Sequence, residues 1–238
     1  MRPVEASDGP RLDAASDGIW LWRGWASGRI VAGVTDRHAD PARLADRLQG
    51  VVTTVSAEQV HGAGVAMIGP AFAGEAVRSV PGCDALLTNI AGTVLLVRSA
   101  DCLPIVFADP SRGVVGIAHA GWRGLAASLP TRVVAAFRRA YHSHSRELRV
   151  AIGPGIRSCC YEVGPEFDAR FTPFVQERGR RMCDLIGAAL DQLRRCGIRP
   201  DRVTDAQACT SCDTERWFSL RREGPSTGRL TSFIMVRP

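Results

Sequence analysis

His119 ends an apolar run and passes at once into Gly-Trp-Arg-Gly, giving HAGWRG at 119–124. A core strand needs no such ending; a site does. Cys102 lies upstream in SADCLPIVFAD, 99–109. Two apolar runs flank Asp109-Pro110-Ser111-Arg112-Gly113, where proline favours a turn, so this region reads as a hairpin. If it closes on Pro110-Ser111 in simple register, Cys102 and His119 stand directly opposite on one face, with Cβ atoms ~5 Å apart. That separation suits a shared metal or a thiolate–imidazolium pair. His61, in EQVHGAGV, also ends an apolar run before a glycine. Two histidines and a cysteine form a three-ligand set with a position left for water, as in a catalytic zinc centre. The alternatives are structural hydrogen-bonding histidines and a buried apolar thiol. Asp101 points to the opposite face if its strand is regular.

The elements that must position these residues alternate between strands and helices. Residues 17–34 read as strand and hairpin, 39–50 as a short helix stopping at Gly50, and 93–98 as a strongly apolar strand. Helical spacing covers 131–141, GPEFDARFTPFVQERG and MCDLIGAALDQLRRCGI, the last ending at Gly197. DRVTDAQAC and TGRLTSFIMVRP read as closing strands. No linker or repeat divides the chain. The expectation is a polar, mobile leader over residues 1–16, then a single α/β (α+β) domain over 17–238.

Composition narrows the function. The chain has 238 residues, 45% hydrophobic and 23% charged, as in ordinary globular proteins. Its net charge is +6, and every basic side chain other than histidine is arginine. The absence of lysine excludes a Schiff-base lysine and a Walker A loop. The arginines are scattered pairs without interleaved aromatics, so neither nucleic acid nor membrane is expected as a partner. The N-terminus lacks the apolar core of a secretory signal, and a cytoplasmic protein is expected. The eight cysteines are then thiols or ligands rather than disulfides.

QVHG (59–62), DALLT (84–88), SADCLPIVFAD, HAGWRG, IGPGIRSCCYEVG (152–164) and WFSLRREGPSTGR (217–229) together resemble the YfiH family. This group is also called laccase-domain proteins or multicopper polyphenol oxidases. The motifs occur in order over about residues 50 to 238. The resemblance implies mixed β-sheets covered by helices, similar to the catalytic domain of cytotoxic necrotizing factors. It also implies zinc bound by His61, Cys102 and His119. The likeness weakens at the N-terminus, where the family's Ser-Leu-Asn stretch has no counterpart.

The implied activities are phosphorolysis of adenosine, inosine and methylthioadenosine, and deamination of adenosine. The partners are then small molecules, a purine nucleoside and phosphate. Catalysis is assigned to His61, Cys102, His119 and Asp101, with Asp101 or Glu162 shuttling protons. Substrate binding is assigned to Gln59, Arg123, Glu162, Arg221 and Arg222. Arg123 and the glycines of HAGWRG would hold an anion, with Arg221-Arg222 as a second anion candidate. A packing role for Trp122 is preferred over base stacking. A four-copper oxidase needs on the order of ten histidines because imidazole is the main copper ligand; this chain has five. Multicopper oxidation is therefore rejected, with copper only an adventitious occupant of a single zinc site. The alternatives are an amidase editing a UDP-linked muropeptide precursor of peptidoglycan, or a metal-binding protein with reduced catalysis. Cys159-Cys160 and Cys209-x-x-Cys212 could form a four-thiolate site, but the vicinal pair strains tetrahedral geometry, so no second site is assigned.

Overall fold

The structure, a computed structural model, describes residues 10–26, 28–72, 77–165, 167, 169–177 and 179–238. Among them, seven strands form one mixed sheet in the order Arg11–Ser16, Ile19–Arg23, Ile30–Thr35, Leu230–Val236, Thr93–Ser99, Thr53–Ala57 and Val77–Val80. A six-stranded sheet follows the order Val203–Asp205, Arg149–Ile152, Leu103–Asp109, Val114–Ala120, Ala85–Thr88 and Val65–Met67. Val175–Glu177 and Arg181–Cys183 make a small separate ribbon.

Side-chain alternation sorts the core into layers. Along Val114–Ala120, the even positions join Leu129, Val133, Phe137 and Leu193 under the helices Leu129–Tyr141 and Leu185–Arg195. Val115 and Ile117 face the other way, against Leu95, Val97 and Ile234 of the seven-stranded sheet. His119 shares their parity, so it ends a strand at the rim of the inter-sheet layer. The single α/β domain expected from the sequence is thus two stacked sheets with helices over one outer face.

Several sequence expectations change. Residues 1–9 lie outside the described residues, and Arg11–Ser16 are a strand paired with Ile19–Arg23, so 11–16 are not a mobile leader. The expected helix at 39–50 is a 3₁₀ turn, Pro41–Arg43, continued by one α-turn, Leu44–Arg47. GPEFDARFTPFVQERG is not an α-helix: Ala169–Phe174 is 3₁₀ and Val175–Glu177 is a strand. Pro173 supplies no backbone N–H there and breaks the α-helical ladder. Met182 and Cys183 belong to a strand, and the next helix begins after Asp184, whose carboxylate accepts from Gly187 N at 2.9 Å.

The hairpin expectation fails by two residues. The turn spans Pro110 to Gly113, so His119 pairs with Pro104 and Ala120 with Leu103. Asp109 causes the wider turn. Its Oδ1 accepts from Ser111 N (3.1 Å), Ser111 Oγ (2.6 Å) and Arg112 N (3.2 Å), and its Oδ2 from the Arg112 guanidinium (3.2 Å). Gly113 completes the turn at φ +62°, a conformation glycine adopts without a Cβ penalty. A two-residue shift preserves parity. His119 therefore stays on its expected face, while Cys102, in the bend just before Leu103, lies near it without being its opposed partner.

Asp109 has no solvent exposure. Burial alone would raise its pKa, but the Ser111 and Arg112 donors hold it below the usual carboxylate range. The folded value is depressed, so this stabilisation is present above about pH 3.9 and lost as pH falls through the folded value. Asp109→Asn should cost about 1–3 kcal/mol at neutral pH and flatten the acid side of the stability profile, both measurable by urea denaturation across pH.

Candidate metal centre and active site

The two sheets are joined by the short crossing from Thr93–Ser99 into Leu103–Asp109, and Cys102 lies on it. Asp101 immediately before it has φ +93°, a costly conformation for a residue with a side chain. Its surroundings over-determine it. The Asp101 carboxylate accepts from Thr210 Oγ1 (2.6 Å) and Arg221 N (2.7 Å), and its carbonyl accepts from Ile156 N (2.9 Å). Asp101 thus fixes the backbone that presents Cys102.

His61 sits in a second strained segment, with φ +68° at Gln59 and +60° at His61. The Gln59 side chain pairs with the Arg98 backbone, donating to its carbonyl at 2.5 Å and accepting from its N–H at 2.8 Å. Gln59 N donates to Cys83 O at 3.0 Å. The decisive partner is Asp84. Its Oδ1 accepts from His61 N at 3.0 Å and Oδ2 from Gly62 N at 2.7 Å. The same Oδ1 lies 3.0 Å from His119 Nδ1, and the Asp84 carbonyl accepts from His119 N at 2.8 Å. One fully buried residue orients both histidines and leaves Nε2 of His119 available.

The ligand-type atoms of His61, Cys102 and His119 all lie within 4.8 Å of one another. The two imidazoles meet edge to face, with centroids 4.9 Å apart. A Cβ added at Gly121 would stand 2.8 Å from Cys102 Sγ, so HAGWRG requires glycine there to leave room for the thiol. Burial works against a Cys102 thiolate, but hydrogen bonds and charge from His119 and His61 overcome it and hold the thiol at about 7. Burial likewise lowers His119, but Asp84 and Cys102 raise it to about 9. Asp84 itself stays below the usual carboxylate range: burial opposes ionisation, and His119 and the Gly62 and His61 amides outweigh it. A cation bound at this centre would take the place of the proton these groups compete for.

The centre borders a cavity of about 440 Å³ lined also by Glu58, Gln59, Arg98 and Arg229. That size falls within the ~300–1,000 Å³ typical of small-ligand sites. His119 is buried and His61 exposed, so the group opens from the protein interior towards solvent.

The other expected site residues are placed differently. Arg123, Glu162, Arg221 and Arg222 do not line this cavity. Arg123 lies over the Trp122 ring at 4.5 Å, and Trp122 packs on Phe167 at 5.4 Å, which is packing rather than an open stacking face. The Glu162 carboxylate is exposed, 3.7 Å from Arg180, while its carbonyl accepts from Arg221 at 2.6 Å. Arg222 is occupied by the Thr210, Ser211 and Trp217 carbonyls and the Glu223 carboxylate. Asp101 is held as described and is also absent from the lining. Sequence reasoning missed Asp84, Glu58, Arg98 and Arg229. The available signals were a lone carboxylate entering the apolar ALLT strand and an arginine at the end of VLLV.

Asp84→Asn should weaken metal affinity about 10–100-fold, the usual effect of removing a carboxylate that orients a ligating histidine. Gly121→Ala should weaken it as well by displacing Cys102. Competition against a chromophoric chelator measures both; affinities equal to wild type would remove these residues from the centre.

Residues 32–237 match the family described as multi-copper polyphenol oxidoreductase laccase. The purine nucleoside phosphorylase YlmD of Geobacillus stearothermophilus is 36% identical over 194 residues, covering 76% of this chain and 71% of YlmD. Its crystal structure superposes with a TM-score of 0.88 at 30% identity, over 96% of this chain and 100% of that one. The adenosine deaminase RL5, from an unknown prokaryotic organism, is 33% identical over 189 residues, covering 74% of this chain and 72% of RL5. The crystal structure of the Bacillus licheniformis hypothetical protein YfiH gives a TM-score of 0.82 at 25% identity, over 95% of this chain and 99% of that one. On sequence and fold together, the chain belongs to the YfiH, or laccase-domain, family.

Proposed function

We propose that this protein is a zinc-dependent purine nucleoside enzyme that carries out phosphorolysis and, in addition, deamination of adenosine. The observation that carries the reading is the His61–Cys102–His119 group opening on a cavity flanked by two arginines. Relatives named purine nucleoside phosphorylase and adenosine deaminase support the substrate class.

The donor set fits zinc: two imidazole nitrogens and one thiolate leave a fourth position for water or substrate. Zinc bound there supplies Lewis acidity to an oxygen of phosphate or water. The protein's own groups do the rest. Asp84 fixes the His119 tautomer and aims its Nε2 inward. Asp101 is a positioning residue that fixes the crossing before Cys102. Arg98 and Arg229 line the cavity, Arg229 with one guanidinium nitrogen on the Thr227 and Gly228 carbonyls, and their positive charge suits an attacking phosphate and the charge developing on it. Glu58, with Oε2 on Gly82 N at 2.7 Å, is the carboxylate bordering the cavity and is placed to move protons. Five histidines in the chain are too few for a four-copper oxidase.

Protein of known zinc content, incubated with adenosine with and without phosphate and followed by chromatography, tests this reading. Adenine should appear only with phosphate, and inosine in both cases. Cys102→Ala should lose turnover together with the metal at this centre. Arg98→Ala should raise the KM for phosphate more than it lowers kcat. A fully loaded protein that produces neither adenine nor inosine overturns the proposal and directs attention to muropeptide amide hydrolysis.

A further inference from the structure

The chain carries a second convergence of metal-ligand side chains away from the cavity. The Sγ atoms of Cys159, Cys160, Cys209 and Cys212 all lie within 4.8 Å of one another. Cys212 Sγ is 3.5 Å from that of Cys159 and 3.3 Å from that of Cys160. Tetrahedral zinc with Zn–S bonds of about 2.3 Å sets its sulfurs about 3.8 Å apart, whereas a disulfide joins just two at about 2.0 Å. Four sulfurs within mutual reach match the first arrangement. We propose that these four cysteines form a second, structural zinc site of the tetrathiolate class.

The backbone is arranged for it. Cys209-x-x-Cys212 has the spacing of a zinc knuckle. Cys160 N and Tyr161 N both donate to Arg157 O at 2.9 Å, closing a tight turn that directs the vicinal pair at one point and removes the objection raised by their adjacency. Arg157 is fixed by two hydrogen bonds to Asp205, at 3.0 and 2.7 Å. The two cysteine segments are joined by a bridge between Gly155 and Cys209 and by Thr210 N donating to Gly155 O at 3.1 Å. Arg222 holds the Thr210 and Ser211 carbonyls inside the knuckle. Cys209 is buried, while Cys159 and Cys212 are exposed, which gives the ion an entry path. Binding exchanges thiol protons for the metal and needs no oxidant or reductant.

Thr210, between the two knuckle cysteines, donates to Asp101, the residue before Cys102. The second site therefore clamps the segment that holds the strained crossing of the first. It is a staple for the active-site backbone and does not depend on the reaction proposed above.

Cobalt(II) titration of the reduced Cys102→Ala protein isolates this site. It should bind one cobalt per chain with the intense thiolate-to-cobalt charge-transfer absorption and tetrahedral d–d bands of a tetrathiolate centre. Adding Cys159→Ser and Cys212→Ser should abolish those bands. In the wild-type protein, native zinc should be two per chain, falling to one when only Cys159 and Cys212 are replaced, a comparison that holds even if Cys102→Ala fails to fold. A folded, fully reduced Cys102→Ala protein without cobalt bands overturns the proposal. So does wild-type zinc content unchanged by the double replacement, or an intact mass showing a disulfide among the four in protein isolated without oxidant.

Discussion

The hydrogen bonds of one buried carboxylate hold the candidate active site together. Asp84 has no contact with solvent, yet it takes the backbone amides of His61 and Gly62 on its two oxygens and the imidazole of His119 on one of them. A buried charge is tolerated only when its partners are complete; removing one partner of such a group commonly costs ~3–5 kcal/mol. The completeness is what makes the constraint stiff. His61 comes from the segment after Thr53–Ala57 of one sheet and His119 from Val114–Ala120 of the other, so Asp84 ties the rims of both sheets at the point where the three ligand candidates converge.

The strain in the surrounding backbone follows from that convergence. Gln59, His61 and Asp101 all have positive φ without being glycine, and each is one of the ligand candidates or lies within two residues of one. Each is fixed by hydrogen bonds from a different part of the chain: Cys83, Asp84 and Arg98 for the His61 segment, and Ile156, Thr210 and Arg221 for Asp101. Strained residues of this kind persist only where the surroundings over-determine them. The C-terminal third of the chain, which supplies no ligand to the centre, thereby sets the geometry of Cys102.

Patterning in the sequence reached His61 and His119 because each ends an apolar run, where a polar side chain is conspicuous, and reached Cys102 through the hairpin that carries His119. It kept His119 on the correct face because strand parity survives a two-residue error in register. It missed the register itself, since the Asp109 side chain closes a four-residue turn that spacing does not reveal. The roles of Arg222 and Asp101 were unreadable for a related reason: a side chain's partners lie on distant segments, so an arginine bonded to three carbonyls looks like an arginine free to bind an anion. Arg98 and Arg229 come together through the pairing of Leu230–Val236 with Thr93–Ser99, a long-range register that local patterning does not reveal. The helical reading of 164–179 failed where Pro173 outweighed a weak periodicity.

Anomalous diffraction at the zinc edge from crystals of the metal-loaded protein tests the central claim most directly. One ion should lie about 2.3 Å from Cys102 Sγ and about 2.0–2.1 Å from a nitrogen of each of His61 and His119, with His119 Nδ1 still on Asp84. No ion at this group, or His119 turned away from Asp84 to reach one, would contradict the assignment of this group as the metal centre and of Asp84 as the residue that builds it.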